Sequence, residues 1–187
     1  MPACLPQLQA LFAPESVPEQ LLRLLSFQEE VGYGTYSQGL TLDLDEKSGL
    51  IHGWSTEPGF LEALFPFAMA NASGSFYALW NASNTPNPAT WPVVVFGDEG
   101  GEWVVARDVS ELLAISTFDV EPMVDYREVF FYKSDDDNWE SPHIDRYRAW
   151  LSENFAISSI EDPNPLIADA QDVWQEKFEV WKTPFLV

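Results

Sequence analysis

The side chains that most often carry out chemistry are sparse in this sequence. The two histidines, His52 and His143, do not stand at a metal-binding spacing from each other or from a cysteine, as a zinc site requires. Cys4 is the only cysteine, and it lies in a segment interrupted by prolines, with no basic neighbour to activate a thiolate. The sequence therefore predicts no metal site, no cofactor and no catalytic residue.

Two further segments share only part of the pattern of a ligand-binding loop. The run Asp135–Asp137 is acidic but lacks the glycine and the terminal glutamate of an EF-hand calcium loop. The segment Gly97–Gly101 contains acids and precedes an expected strand, whereas a phosphate-binding loop leads into a helix. We interpret both segments as solvated turns. A carboxylate pair suited to glycoside hydrolysis stays open as an alternative, because no motif singles out two of the thirty acids.

Charge gives the clearest indication of function. The chain has 9 Lys plus Arg against 30 Asp plus Glu, a formal net charge of −21. Such a surface disfavours binding to nucleic acid or to anionic lipid. Thirteen of the acids but only three bases lie between Asp98 and Glu140. This density is compatible with solubility alone and also with fast, electrostatically steered capture of a basic protein partner.

Hydrophobic residues make up 46% of the chain, which is enough for a packed core. A helix is predicted from Pro18 to a stop before Gly32, followed by a strand in which leucines alternate with polar residues over 40–45. Spacing of apolar residues over Glu57–Ala70 predicts a short helix with a break or kink at Pro66. Strands are predicted at 75–81, 93–96 and 103–106, and their short connections favour an antiparallel meander.

Asp108 is predicted to cap the helix that follows this meander, with Glu111 at the third helical position. Phe130 and Phe131 are expected to continue the sheet or to start a new hairpin, and two helices are predicted at 142–154 and 165–181. This order indicates a single α+β domain over 1–187, with a largely antiparallel sheet and helices packed around it. We expect a core of about 16–115 and a C-terminal helical extension of about 118–187. The single cysteine and the absence of a recognisable signal or spanning segment favour a cytoplasmic protein with no membrane partner.

The segment WPVVVFGDEGGEWVVARDVSELL at 91–113, preceded by GSFYALW at 74–80, resembles the SUKH superfamily. This superfamily includes the yeast Smi/Knr cell-wall regulators and many bacterial immunity proteins. The shared layout is a glycine before an aromatic strand, a second strand with an acidic turn, and a capped helix. Within that helix, DVSELL at 108–113 resembles the family's segment S-F-x-E-F-L.

The resemblance implies an α+β fold and, for bacterial members, non-enzymatic binding that neutralises a toxin domain, often a nuclease. A nuclease has a basic face, which an acidic inhibitor can dock against quickly. We therefore expect a basic protein partner to contact the following residues: Asp98, Glu99, Glu102, Trp103, Asp135, Asp136, Asp137 and Trp139. Two alternatives stay open, namely a regulatory interaction module with no toxin partner and a carboxylate-dependent hydrolase.

Overall fold

The structure is a computed structural model that describes residues 4–44, 47–82, 86–134 and 139–186. Its helices are α1 (Leu5–Phe12), α2 (Glu19–Val31), α3 (Ser48–Gly53), α4 (Pro58–Ala63), α5 (Val109–Ser116), α6 (Ile144–Phe155) and α7 (Asn164–Lys182). Its strands are β1 (Thr41–Leu42), β2 (Leu64–Met69), β3 (Phe76–Trp80), β4 (Val93–Phe96), β5 (Glu102–Ala106), β6 (Met123–Val124) and β7 (Val129–Phe130). The predicted α+β fold is confirmed.

Five strands form one antiparallel sheet in the order β1-β2-β3-β4-β5. Every residue of β4 is buried, and its side chains alternate between two cores. Val93 and Val95 face the first core, whereas Val94 and Phe96 face the second. Because side chains of a strand alternate between the faces of a sheet, both faces must be covered by other elements.

Helices cover the two faces from distant parts of the chain. The first core receives Leu8 from α1, Leu24 from α2, Leu112 from α5 and Tyr147 from α6. The second core receives Leu50 of α3, Phe60 of α4 and Phe178 of α7, packed around Trp80. The segment 118–187, expected as an extension, thus supplies parts of both cores. Helix α1, which precedes the expected core of 16–115, supplies Leu8 and Phe12 to the first core.

The predicted helix over Glu57–Ala70 is wrong in its second half. Helix α4 ends at Ala63, and Leu64–Met69 forms strand β2 between β1 and β3. The pairing of β2 with β3 shifts between Pro66 and Ala68, a bulge at the position of the proline. Pro66 pairs with Ala78 of β3, whereas β1 pairs only with Ala68 and Met69, so the β1 ladder does not reach the proline and needs no N–H group from it.

Other local predictions are confirmed. Helix α2 ends before Gly32, β3, β4 and β5 form the meander, and α6 and α7 lie where helices were expected. Asp108 caps α5 by accepting a hydrogen bond from the Glu111 N–H at 2.9 Å. Val129–Phe130 does not extend the main sheet, and it is the second strand, not the first, of a separate hairpin with β6. Helices α1 and α3 were not predicted, since α1 follows a proline-rich start and α3 has only six residues.

A buried carboxylate connects the loop before α6 to the loop after α2. Asp119 is fully buried, and its Oδ1 accepts hydrogen bonds from the Gln38 N–H at 2.9 Å and the Ser141 hydroxyl at 2.7 Å. Its Oδ2 accepts from the Ser141 N–H at 2.7 Å. A buried charge is tolerated when hydrogen bonds replace its water, and three such bonds do so here.

Replacing Asp119 with alanine is therefore expected to lower the free energy of unfolding by about 3 kcal/mol, because buried donors would lose their acceptor. Denaturant unfolding followed by circular dichroism measures this loss. The control is Glu161→Ala at an exposed loop position, which should change the free energy by less than about 0.5 kcal/mol. Equal effects of the two changes would contradict the role of Asp119.

Candidate functional site

Two turns from different hairpins meet at the end of the sheet where β4 ends and β5 begins. The turn 97–101 joins β4 to β5, and the turn 125–128 joins β6 to β7. The Trp103 indole N–H donates a hydrogen bond to the Asp125 carbonyl oxygen at 2.8 Å. We call the exposed side chains of these turns the two-turn surface, which consists of Asp98, Glu99, Asp125, Tyr126, Arg127 and Glu128.

Glycine is required where the two turns touch. A Cβ atom on Gly101 would lie 2.1 Å from the Asp125 carbonyl oxygen, and one on Gly100 would lie 2.3 Å from the Tyr126 ring. Both glycines also have positive φ angles, 95° and 85° for Gly100 and Gly101, which other residues rarely adopt. Tyr126 is 80% exposed, although its ring rests against Gly100. The glycines that the sequence suggested as a turn therefore also hold the second turn in contact with the first.

A groove of about 550 Å³ separates the turn 97–101 from helix α3. The aromatic residues Trp54 and Phe76 line it, and both pack on the buried Phe96, with ring centroids 4.9 Å and 5.1 Å apart. Asp98 and Glu99 line the same groove. Such a groove suits a long basic side chain, because its methylene groups can pack on the aromatic residues and its cationic end can pair with the acids.

Asp98 is held in place by the neighbouring turn. Its Oδ1 accepts a hydrogen bond from the buried Ser75 hydroxyl at 2.6 Å, and the Asp98 N–H donates to the same Ser75 Oγ at 3.1 Å. These bonds, with weaker ones from Ser73 and Asn71, hold the pKa of the Asp98 carboxyl below its usual value. Asp98 is therefore ionised at neutral pH, and its position is set by the β2–β3 turn.

Glu99 and Glu102 differ in their surroundings. Glu99 is exposed at the tip of the turn, and it has no hydrogen bond or ion pair with any residue that the structure describes. Glu102 accepts a hydrogen bond from the Trp54 indole N–H at 3.1 Å and forms an ion pair with the buried Lys182. Lys182 also pairs with Glu179 at 2.8 Å. The charge of Glu102 is thus balanced inside the fold, whereas that of Glu99 faces solvent.

The remaining predicted residues do not all join this surface. Trp103 is half-buried against the first core, and its indole N–H donates to the Asp125 carbonyl oxygen, so it is not available to a partner. Trp139 is 55% exposed and lines a second groove of about 300 Å³, which also contains Asn71. Asn71 bridges the two grooves, because its amide N–H donates to Asp98 Oδ1 at 3.5 Å. The predicted contacts Asp135, Asp136 and Asp137 lie outside the described residues.

The second turn was not singled out from the sequence, although its acids contributed to the high charge of that region. Asp125 shapes this turn, since its Oδ1 accepts hydrogen bonds from the N–H groups of Arg127 at 2.6 Å and Glu128 at 3.1 Å. These two bonds lower the pKa of the Asp125 carboxyl. The motif Asp-x-Arg-Glu after a short strand is a local turn signal, but nothing local indicates which other turn it meets.

Asp98 and Asp125 are poorly suited to act as general acids at neutral pH. A general acid at neutral pH needs a raised carboxyl pKa, whereas the pKa values of Asp98 and Asp125 are lowered. Within residues 4–44, 47–82, 86–134 and 139–186, no three His, Cys, Asp or Glu side chains converge as metal ligands. The site can present fixed negative charge, beside aromatic rings, to a cationic group.

Comparison with protein-family models, with curated proteins and with solved structures finds no match to this chain. None of the helices in the described part of the chain is both long enough and apolar enough to span a membrane.

The lowered pKa of Asp98 predicts a pH-dependent contribution to stability. A carboxyl with a folded-state pKa below its unfolded value stabilises the fold above the unfolded pKa and loses this effect as the pH falls through the folded pKa. Asp98→Ala should therefore lower the free energy of unfolding by about 1 kcal/mol at pH 7. The effect is smaller than for a buried carboxylate, because solvent screens the exposed charge. The difference from the unmodified protein should shrink below about pH 4.

Denaturant unfolding at pH 7 and at pH 3 measures this difference. The matched control is Glu99→Ala, which removes a neighbouring carboxylate that has no bonds to described residues, and which should have little effect at either pH. A loss in Asp98→Ala that is the same at both pH values would contradict the assignment.

Proposed function

We propose that this protein is a protein-binding domain that captures a basic partner on the two-turn surface. The observation that carries the proposal is the way two acidic turns are fixed against each other by Gly100, Gly101 and the Trp103–Asp125 hydrogen bond. A surface that is already ordered loses little conformational entropy when a partner docks, so more of the contact energy appears as affinity.

The charge distribution supports this proposal. Four of the six side chains of the two-turn surface are acids and one, Arg127, is a base; the nearby Lys182 pairs with Glu102. The whole chain carries −21, so a cationic partner is attracted over a long range and is then guided to a defined acidic site. Tyr126 offers an exposed ring beside the acids, and tyrosine is among the residues that most often anchor protein interfaces.

The resemblance to the SUKH superfamily makes the proposal more specific. The residues that carry the resemblance, 91–113, include β4, the acidic turn, β5 and the capped helix α5. On this basis the domain is a cytoplasmic immunity protein that neutralises a toxin domain without catalysis of its own. A nuclease toxin suits the site well, because the basic face that binds nucleic acid is the face that an acidic surface would cover.

The gene neighbourhood and a co-expression assay test the immunity function. We expect a gene beside this one to encode a large secreted protein with a basic C-terminal toxin domain. Co-expression of this chain should restore growth of cells that produce that toxin domain, and the purified chain should inhibit the toxin at equimolar concentration. Continued killing on co-expression would contradict immunity, and a neighbourhood without a toxin gene would favour the regulatory interaction module.

The two-turn surface is tested by reversing its charge. In Glu99→Lys/Glu128→Lys, the association rate constant with the toxin domain should fall at least tenfold at low salt and should lose most of its salt dependence. Both residues are exposed, so the change should leave the fold intact. Stopped-flow or surface plasmon resonance at several salt concentrations measures the rate.

The matched control is Glu153→Lys/Glu161→Lys, which makes the same change in net charge at exposed positions of α6 and the following loop. It should slow association much less. If both double variants slow association equally, the attraction comes from overall charge and the assignment of the two-turn surface is wrong.

A further inference from the structure

A cavity of about 790 Å³ lies at the end of the sheet opposite to the two-turn surface. The strand register shows that the two sites lie at opposite ends of the sheet. The Leu64–Trp80 pair is at the end with the cavity, and the Phe76–Phe96 pair is at the end with the two-turn surface. Helix α1 and the start of β2 form its walls. This volume is within the range of pockets that hold small organic ligands.

The walls of the cavity are mainly apolar and are already packed. The Phe12 and Phe65 rings stack with centroids 5.6 Å apart, and the Phe65 and Trp91 centroids are 4.9 Å apart. Leu11 and Pro66 complete the apolar lining. Since these side chains also belong to or pack on the first core, the cavity exists before any ligand enters.

One half-buried cation, Lys47, faces this apolar space. Its Nζ donates a hydrogen bond to the Leu61 carbonyl oxygen and lies 5.1 Å from the centroid of the Phe65 ring. An ammonium has three N–H donors, so two are left for another acceptor. Burial lowers the pKa of Lys47, and the attraction of Glu62 offsets this only in part.

Lys47 differs from most bases of this chain. Six of the nine are in ion pairs within the described residues: Arg23, Arg107, Lys133, Arg146, Arg148 and Lys182. No carboxylate of the described residues lies within 4.0 Å of the Lys47 Nζ, although the chain has 30 acids. Among the described residues, Glu62 compensates the loss of water around this cation only in part, and a bound anion in direct contact would lower the remaining cost.

We propose that this cavity binds an apolar monocarboxylate, with the carboxylate on the Lys47 ammonium and the hydrocarbon part against Leu11 and Phe65. Glu15 and Glu62 also line the cavity. Their charges and the net charge of the chain repel every anion and polyanions most, so an anionic ligand needs direct contact with Lys47, a single negative charge and a large apolar body. This site does not depend on the proposed function, because it lies at the other end of the sheet.

Calorimetric titration with octanoate and with 1-octanol tests the site, since these two probes share a chain length and differ in charge. Octanoate should bind saturably and more tightly than octanol. In Lys47→Met the affinity for octanoate should fall at least tenfold, whereas that for octanol should stay within about twofold, because only the charged hydrogen bond is lost. The control Lys177→Met removes an exposed lysine of α7 and should bind both probes as the unmodified protein does.

A second variant locates the binding without using Lys47. Ala10 is an exposed residue of α1 that lines the cavity, and Ala10→Trp should fill it and weaken both probes at least tenfold. Circular dichroism confirms that each variant is folded. The proposal is overturned if octanoate does not bind, if Lys47→Met binds octanoate as tightly as the unmodified protein, or if Ala10→Trp leaves both affinities unchanged. Glu99→Lys/Glu128→Lys should bind octanoate normally, which separates this site from the two-turn surface.

Discussion

The burial of the main sheet on both faces is the constraint on which the rest of the structure depends. Strand β4 has no residue that faces solvent, so each of its two sets of side chains needs its own layer of helices. One layer comes from α1, α2, α5 and α6, and the other comes from α3, α4 and α7. Helices from both ends of the chain therefore pack on the sheet, and truncation at either end would expose apolar strand surface to water.

Because helices cover both faces of the sheet, binding sites can lie at the ends of its strands. At one end, the turns 97–101 and 125–128 are joined through glycines that permit close backbone contact, and acids project from them. At the other end, α1 and β2 enclose an apolar cavity around Lys47. The two ends differ in character: acids and Tyr126 are exposed at one end, whereas Lys47, Glu15 and Glu62 line a mainly apolar cavity at the other.

The few bases of the chain show how the charge is organised. Most of them neutralise one acid each at the surface, where such pairs add little stability. Lys182 differs, because it is buried beneath Glu102 and Glu179 and connects α7 to β5. That contact removes Glu102 from the acids available to a partner, whereas Glu99, Asp125 and Glu128 stay exposed. The local distribution of paired bases, and not only the total of −21, determines which acids can act.

The sequence by itself determined the α+β class, the β3–β4–β5 meander and the Asp108 cap, because each rests on contacts between residues near in sequence. Tertiary structure decided the rest. Leu64–Met69 has the spacing of a helix but forms a strand, because β1 and β3 supply hydrogen-bonding partners that a local pattern cannot show. Glu102 and Lys182 are far apart in the chain, and the two turns come from separate hairpins, so neither contact has a local signal. Charge could be counted from the sequence, but which charges are paired and which face solvent depended on packing.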